Sequence, residues 1–392
     1  MSPDFASGSS GAERRIGRAA EGKAPADRVA DWIDQLEEAV SGKSIRRQAE
    51  IMRGLTDLFI TMTAEPLSVE NGKTFDDVMS RLVATIDESV RASFGGRLAT
   101  VPGAPPMTLR ALALDDSIEV ARPVLENSDS IDEGVLLEVA RSKGQHHLLA
   151  ISHRRSVDES VTDVLIERGS QPVVASLTSN DGAKFSDHGC AMLESRARND
   201  EEIALNLWSR PDIPRQHLLS LFMSASDEVQ RKLVAADRPK ADLYRYMVGT
   251  ATDRMQTIIR ENSEYYAAAR RHVEDLFRTG QLGEAGLRRF AQARKFDEAA
   301  IALSLMCDLP IEHVERALVH DRSDQLLIVA KALDLSWDTT SSILMLRSAY
   351  KSMTPQELRL QYECYMKLQS RTARSAMQFY RLRMRSTARA KG

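Results

Sequence analysis

The chain has 392 residues, 43% apolar and only 5% aromatic, with 53 basic against 56 acidic side chains and a net charge of −3. Its length allows two or three compact domains or one long array. The near-balanced charge excludes a chain built as a whole to coat a polyanion, and no apolar run approaches the ~20 residues of a membrane-spanning helix.

Residues 1–25 are rich in Ser, Gly and Ala with scattered Arg and Pro. They bury too little surface to order themselves and read as a disordered leader. Residues 26–100 read as three helices. Their apolar faces are Val29, Trp32, Ile33 and Leu36; then Ile51, Leu55, Leu58 and Phe59; then Phe75, Val78, Met79, Leu82, Val83 and Ile86. Asn71-Gly72 is a turn signal between the last two, and Thr100 to Pro106 is a Pro/Gly connector.

Residues 107–236 read as a first helical-repeat array. An apolar anchor is followed, five, eight and nine positions on, by apolar or methyl-bearing residues. Ile131 is followed by Leu136, Val139 and Ala140, and Val157 by Thr162, Leu165 and Ile166. Ile213 is followed by Leu218, Leu221 and Phe222. Phe185 matches less well, because Cys190 and Leu193 fit but Glu194 breaks the last slot.

Asp237 to Pro239 interrupts the pattern, and residues 237–280 read as a long helical joint. One face of it carries Leu243, Met247, Ala251, Met255, Ile258, Asn262, Tyr266, Ala269, Val273 and Leu276. Residues 281–350 resume the array: Leu282 with Leu287, Phe290 and Ala291; Leu309 with Val314, Ala317 and Leu318; Leu335 with Thr340, Ile343 and Leu344. Asp308-Leu309 and Asp334-Leu335 open matching segments 26 residues apart. Residues 354–392 read as a basic helix opened by Pro355 and reaching about Arg385, with a short tail.

Sites three and four apart share one face of an α-helix, and the anchor sits just before that helix. Ser186, Pro214 and Pro310 suit helix starts, and Glu312 suits the positive end of the helix dipole. Spacings of 26 to 28 residues leave room for two short helices and two turns per unit. No such hairpin buries its apolar face alone, whereas a stack of them does. The predicted fold class is all-α, an α–α superhelix of short hairpins.

Phosphate loops, nucleophile elbows, metalloprotease helices and calcium loops are absent, and Gly95-Gly96 lacks the further glycines of a dinucleotide site. His146 and His153 share a helical face near His147, but no Cys or carboxylate pair completes a metal set; they read as surface or inter-repeat hydrogen-bonding groups. Asp187-His188 beside Cys190 point in different directions on a helix, and Ser186 with Asp187 reads as its cap. Trp32, Trp208 and Trp337 read as packing residues. No catalytic residue, metal ligand or cofactor is assigned. Cys190, Cys307 and Cys364 are far apart and read as buried thiols in a reducing compartment. With no hydrophobic signal core, the expected location is cytoplasmic.

The C-terminal helix is the strongest electrostatic feature, since no acid follows Glu363. Arg371, Arg374, Arg381 and Arg385 fall on one stripe, with Ala373, Ala376, Phe379 and Tyr380 opposite. Arg371, Arg374, Arg381, Arg383 and Arg385 are therefore candidate contacts for an anion or a partner. The alternative is a solvated face on a helix that caps the stack.

Several segments resemble an uncharacterised family found mainly in alphaproteobacteria, domain-of-unknown-function family 2336. They are Leu136–Ala140 through Gly144–Arg154, Leu165–Gly169, Asn180–Ser186 and Arg210–Pro214. The likeness is densest over 110–225. It implies HEAT-like helical repeats in a bacterial cytoplasm and carries no activity. The function expected from the sequence is a non-enzymatic scaffold or adaptor holding a protein or peptide on the concave face of the array. The alternative is nucleic-acid binding through the basic C-terminal helix. An enzyme with a site in the groove is a third reading without a motif behind it.

Overall fold

The computed structural model describes residues 44–63, 69–319, 323–347 and 353–389. The predicted leader and the first predicted helix, with Trp32, lie outside them. Among the described residues there are 21 α-helices and no strand, so the fold is all-α as the patterning predicts. The chain divides into two compact units, Met1–Lys184 and Phe185–Gly392. The division falls within the segment read from sequence as the first array.

In the first unit the helices are α1 Ile45–Thr63, α2 Val69–Val83, α3 Glu88–Leu98, α4 Pro106–Ala113 and α5 Ile118–Asn127. They continue with α6 Glu133–Ser142, α7 Gln145–Ser152, α8 Glu159–Arg168 and α9 Gln171–Ser179. Each packs on the helix two along: α1, α3, α5, α7 and α9 form one row, and α2, α4, α6 and α8 another. The anchor rule explains why. Leu136, Val139 and Ala140 are buried, as are Thr162, Leu165 and Ile166, so each short helix turns one apolar stripe inward.

Polar side chains join successive hairpins. Buried Asp76 accepts from Met107 N and Thr108 N, both at 2.8 Å, and so caps α4 from α2. Asn180 Nδ2 donates to Ser152 O at 2.9 Å and Arg154 O at 2.7 Å. Val157 N donates to Gly182 O at 3.1 Å in an isolated bridge between Val157 and Ala183. A Cβ at Gly182 would lie 1.8 Å from Arg155 O, so only glycine permits this approach.

In the second unit the helices are α10 Asp187–Ala197, α11 Glu201–Ser209, α12 Arg215–Ala236, α13 Ala241–Glu261, α14 Glu264–Arg278 and α15 Glu284–Gln292. Then come α16 Phe296–Cys307, α17 Ile311–Val319, α18 Asp324–Ala332, α19 Trp337–Arg347, α20 Pro355–Lys367 and α21 Ser370–Arg389. The anchors Leu309 and Leu335 are buried with all their partners. Yet the packing is not purely sequential: α15 lies against α19, and α17 touches α12, α13, α16, α18 and α19.

The Asp-Leu repeat has a local cause. Asp308 and Asp334 adopt left-handed backbone (φ 48° and 53°), and Leu309 N and Leu335 N donate back to Ser304 O and Ala330 O. These are Schellman helix ends, with the leucine as the apolar residue that closes the motif. Arg294 (φ 55°) and Gly280 (φ 69°) end α15 and α14 the same way.

Several expectations are corrected. Asn71-Gly72 lies in the first turn of α2, where amides have no intrahelical partner and glycine costs little. An additional helix, α3, follows Asp87, whose carboxylate accepts from Ser89 N. Leu58 is exposed, and Thr56 is buried instead. The joint is two helices, because Ser263 caps α14 by accepting from Tyr266 N at 3.1 Å. The final helix is also two, broken where Leu368 turns extended. On α13 the apolar stripe faces outward, since Leu243, Met247 and Ile258 are exposed while Thr252, Gln256 and Arg260 are buried. Cys190 and Cys307 are buried as predicted, but Cys364 is exposed.

Candidate functional site

The five arginines of α21 do not behave alike. The buried face of this helix is Ala373 and Met377, with Arg381 partly covered on the same stripe, while Ala376 and Phe379 face solvent and Tyr380 packs edge-on against His313, its hydroxyl 3.1 Å from Nδ1. Arg381 Nε donates to Cys307 O at 2.9 Å, which satisfies a carbonyl at the end of α16. Arg374 pairs with Asp334 and reaches Ala332 O at 3.4 Å, at the end of α18. Cations suit the negative end of a helix dipole. Arg371 is exposed, and the side chains of Arg383 and Arg385 lie outside the described residues. Two of the five candidates are thus engaged within their own unit.

A second charged set lies in the interior and was missed by the sequence reading. Arg215 on α12 and Glu315 on α17 have side chains only 5% and 0% exposed, with Nη1 2.8 Å from Oε1. Arg215 Nε also donates to Asp297 on α16 at 2.9 Å. Arg260 on α13 donates to the other Glu315 oxygen at 2.8 Å and to Glu312 at 2.5 Å. The Arg215 guanidinium lies 4.8 Å from the Tyr266 ring centroid and 5.6 Å from that of Phe296.

Burial pushes the Glu315 pKa up by more than Arg215 and Arg260 draw it down. Burial also opposes the charge of Arg215, but Asp297 and Glu315 outweigh it and raise its pKa. A sequence signal exists: Glu315 lies four residues after Ile311 and three before Leu318, on the inward stripe.

Glu194, which breaks the Phe185 pattern, is the third feature. It occupies the buried slot as a charged group. Its carboxylate lies 2.9 Å from His217 Nδ1 and accepts from Ser220 Oγ at 2.5 Å and Arg198 at 2.9 Å. Burial opposes its ionisation, but these partners together lower its pKa. Ser220 donates to the carboxylate and not to the imidazole, so His217 and Ser220 are both held by Glu194 and do not form a serine–histidine pair. The same contacts correct the Ile213 expectation. On α12 the buried residues are Arg215, His217, Leu219, Leu221 and Met223, because acids on neighbouring helices hold the two polar residues inward.

The histidines of α7 are dispersed. His147 is buried with Nε2 3.0 Å from Asp115 O, whereas His153 Nδ1 sits 3.3 Å from Glu126. Among the described residues no group of three or more His, Cys, Asp or Glu is placed to hold a metal ion. Ser186 caps α10 by accepting from Gly189 N at 2.9 Å. Trp208 stands 6.2 Å from Phe222, and Trp337 lies 5.1 Å from Tyr362 and 5.7 Å from Tyr365. Burial raises the Cys307 thiol to about 11.

The residues that carry the family resemblance serve packing. Arg154 donates to Leu125 O at 2.6 Å and Ser128 O at 2.8 Å, and Arg168 reaches Ala140 O. Arg210 forms two hydrogen bonds to Asp212 and lies 4.7 Å from the Phe185 ring centroid. Residues 120–378 match the family described as "Uncharacterised protein conserved in bacteria (DUF2336)". The chain belongs to this family. No curated protein and no solved structure matches it.

Proposed function

We propose, starting from membership of this bacterial family, that the protein is a non-enzymatic interaction scaffold for a protein or peptide partner. The observation that carries the reading is the outward face of α21. Phe379 and Leu382 are 69% and 60% exposed on a helix that has six arginines and no acid. Large apolar side chains beside positive charge suit an amphipathic partner with acidic residues. The interior polar sets support the same reading. Arg215, Arg260 and Glu315 pair with one another, and the Glu194 carboxylate is taken up by His217, Ser220 and Arg198 of its own unit.

The test is affinity purification with mass spectrometry from a native bacterial host, comparing the intact protein with Phe379→Asp/Leu382→Asp. A partner retained by the first and lost by the second, with both folded by circular dichroism, supports the reading. A folded bait that recovers none removes it. A low-salt mobility shift abolished by Arg371→Ala would favour nucleic-acid binding instead.

A further inference from the structure

The hairpin made by the distal part of α12, the 3-10 turn Arg238–Lys240 and the first part of α13 is an arm without a core of its own. No residue from Ser224 to Ala251 is buried. Half-covered Ser226, Gln230 and Val234 on α12, with Tyr244 and Val248 on α13, mark where the two helices face each other. At ~100° per residue, Ala225, Val229, Leu233 and Ala236 lie on one flank of that inner face. Leu243, Met247, Ala251 and Ile258 occupy the flank reached by the same rotation on α13. In an antiparallel hairpin, equal rotations about each helix's own axis point to the same side. The two apolar stripes therefore make one surface. Asp227, Glu228 and Arg231 on α12, and Asp242, Arg245 and Asp253 on α13, fall on the opposite side.

We infer that this apolar surface is covered by the same surface of a second copy of the chain, giving a four-helix bundle at the centre of a homodimer. Three observations select that occupant. The stripe is inverted, with Leu243 and Met247 more than half exposed while Thr252 and Gln256 point inward, so α13 presents its best packing residues to something outside its own unit. Residues 224–251 carry four acids and five bases, and Glu228–Lys232, Asp237–Lys240 and Asp242–Arg245 pair within the arm. A nearly neutral arm neither repels its copy nor selects a strongly charged partner. Small Ala225, Ala236 and Ala251 are interspersed with large Val229, Leu233, Leu243 and Met247, as interdigitating bundle layers require.

The surface is about 20 Å long and about two helices, ~20 Å, wide. That places it near the small end of specific interfaces, roughly 600 Å² per partner. The contact is isologous, each copy giving what it receives.

This inference goes beyond the scaffold proposal and makes no use of α21. Its test is sedimentation equilibrium of the full chain across about 1–100 μM, an affinity range suited to so small an interface. The expected result is a shift from 43.6 kDa toward twice that mass. Leu233→Glu/Met247→Glu should stay monomeric with an unchanged helical spectrum, while Asp227→Lys on the polar side should dimerise as before. Hydrogen exchange of the unaltered protein supplies a readout independent of substitutions, since amides of 224–251 should gain protection as concentration rises. A single monomer mass at all concentrations overturns the proposal. So does a dimer indifferent to the double substitution, or exchange in the arm that ignores concentration. Phe379→Asp/Leu382→Asp should leave dimerisation intact, which separates this outcome from that of partner binding.

Discussion

The two units solve one problem, satisfying the ends of short helices, in different ways. In the first unit α5, α6, α8 and α9 end in extended backbone, and side chains from a neighbouring hairpin reach across: Arg154 to Leu125 O and Ser128 O, Asn180 to Ser152 O, Asp76 to the amides opening α4. In the second, α14, α15, α16 and α18 close on themselves through left-handed Schellman residues. Helices that stack in sequence order always find the next hairpin beside them, so cross-repeat caps suffice. Where α15 skips to α19 and α17 meets five helices, the neighbour is not set by chain order. Around α17 a buried charge set joins α12, α13 and α16, and at the α15–α19 contact Glu284 accepts from Ser336 N and Thr339 Oγ1, both at 2.7 Å.

The largest effect expected from this contrast is on the second unit. Glu315→Ala leaves Arg215 and Arg260 facing each other in the interior and should cost about 3–5 kcal/mol. In urea unfolding the second unit should separate from the first. A single shared transition at the original midpoint would break the comparison. Gly182→Ala is the counterpart in the first unit. The added carbon must displace Arg155 O, at about 2–3 kcal/mol, and hydrogen exchange should show the loss around the Val157–Ala183 bridge.

Glu194→Gln should cost about 2 kcal/mol near neutral pH. The Glu194 pKa is lowered in the folded state, so its contribution is present above the ordinary glutamate range, about 4.3, and lost as pH falls through the lowered value. The melting-temperature gap between wild type and variant should therefore be widest above about pH 5 and close on acidification. The smallest effect runs the other way. Arg294 is exposed and left-handed, and Arg294→Gly should stabilise by about 1 kcal/mol, seen as a higher melting temperature. Gly280→Ala should destabilise by a similar amount.

Much of the fold was legible because it is local. Val139 with Ala140, Leu165 with Ile166 and Ile343 with Leu344 follow their anchors at fixed offsets, and each lies inward. Asp308 and Asp334 were visible as a repeat, although their left-handed backbone was not read from it. The interior charges were not legible. Arg215 and Asp297 are 82 residues apart, and no periodicity links them. Glu194 was noticed only as a flaw in the pattern. On α21 the helical wheel grouped Arg374 with Arg381 as a solvent stripe, but the carbonyls they reach belong to α16 and α18.

Composition and helical period by themselves determined an all-α chain of short hairpins, because backbone hydrogen bonding within a helix and one apolar stripe per helix are properties of consecutive residues. Tertiary structure alone decided which stripe faces inward on α13, which arginines of α21 have partners, and where buried acids meet buried bases. Those outcomes depend on groups brought together from distant parts of the chain, and the cost of burying a charge is set by its partners in space rather than by its neighbours in sequence.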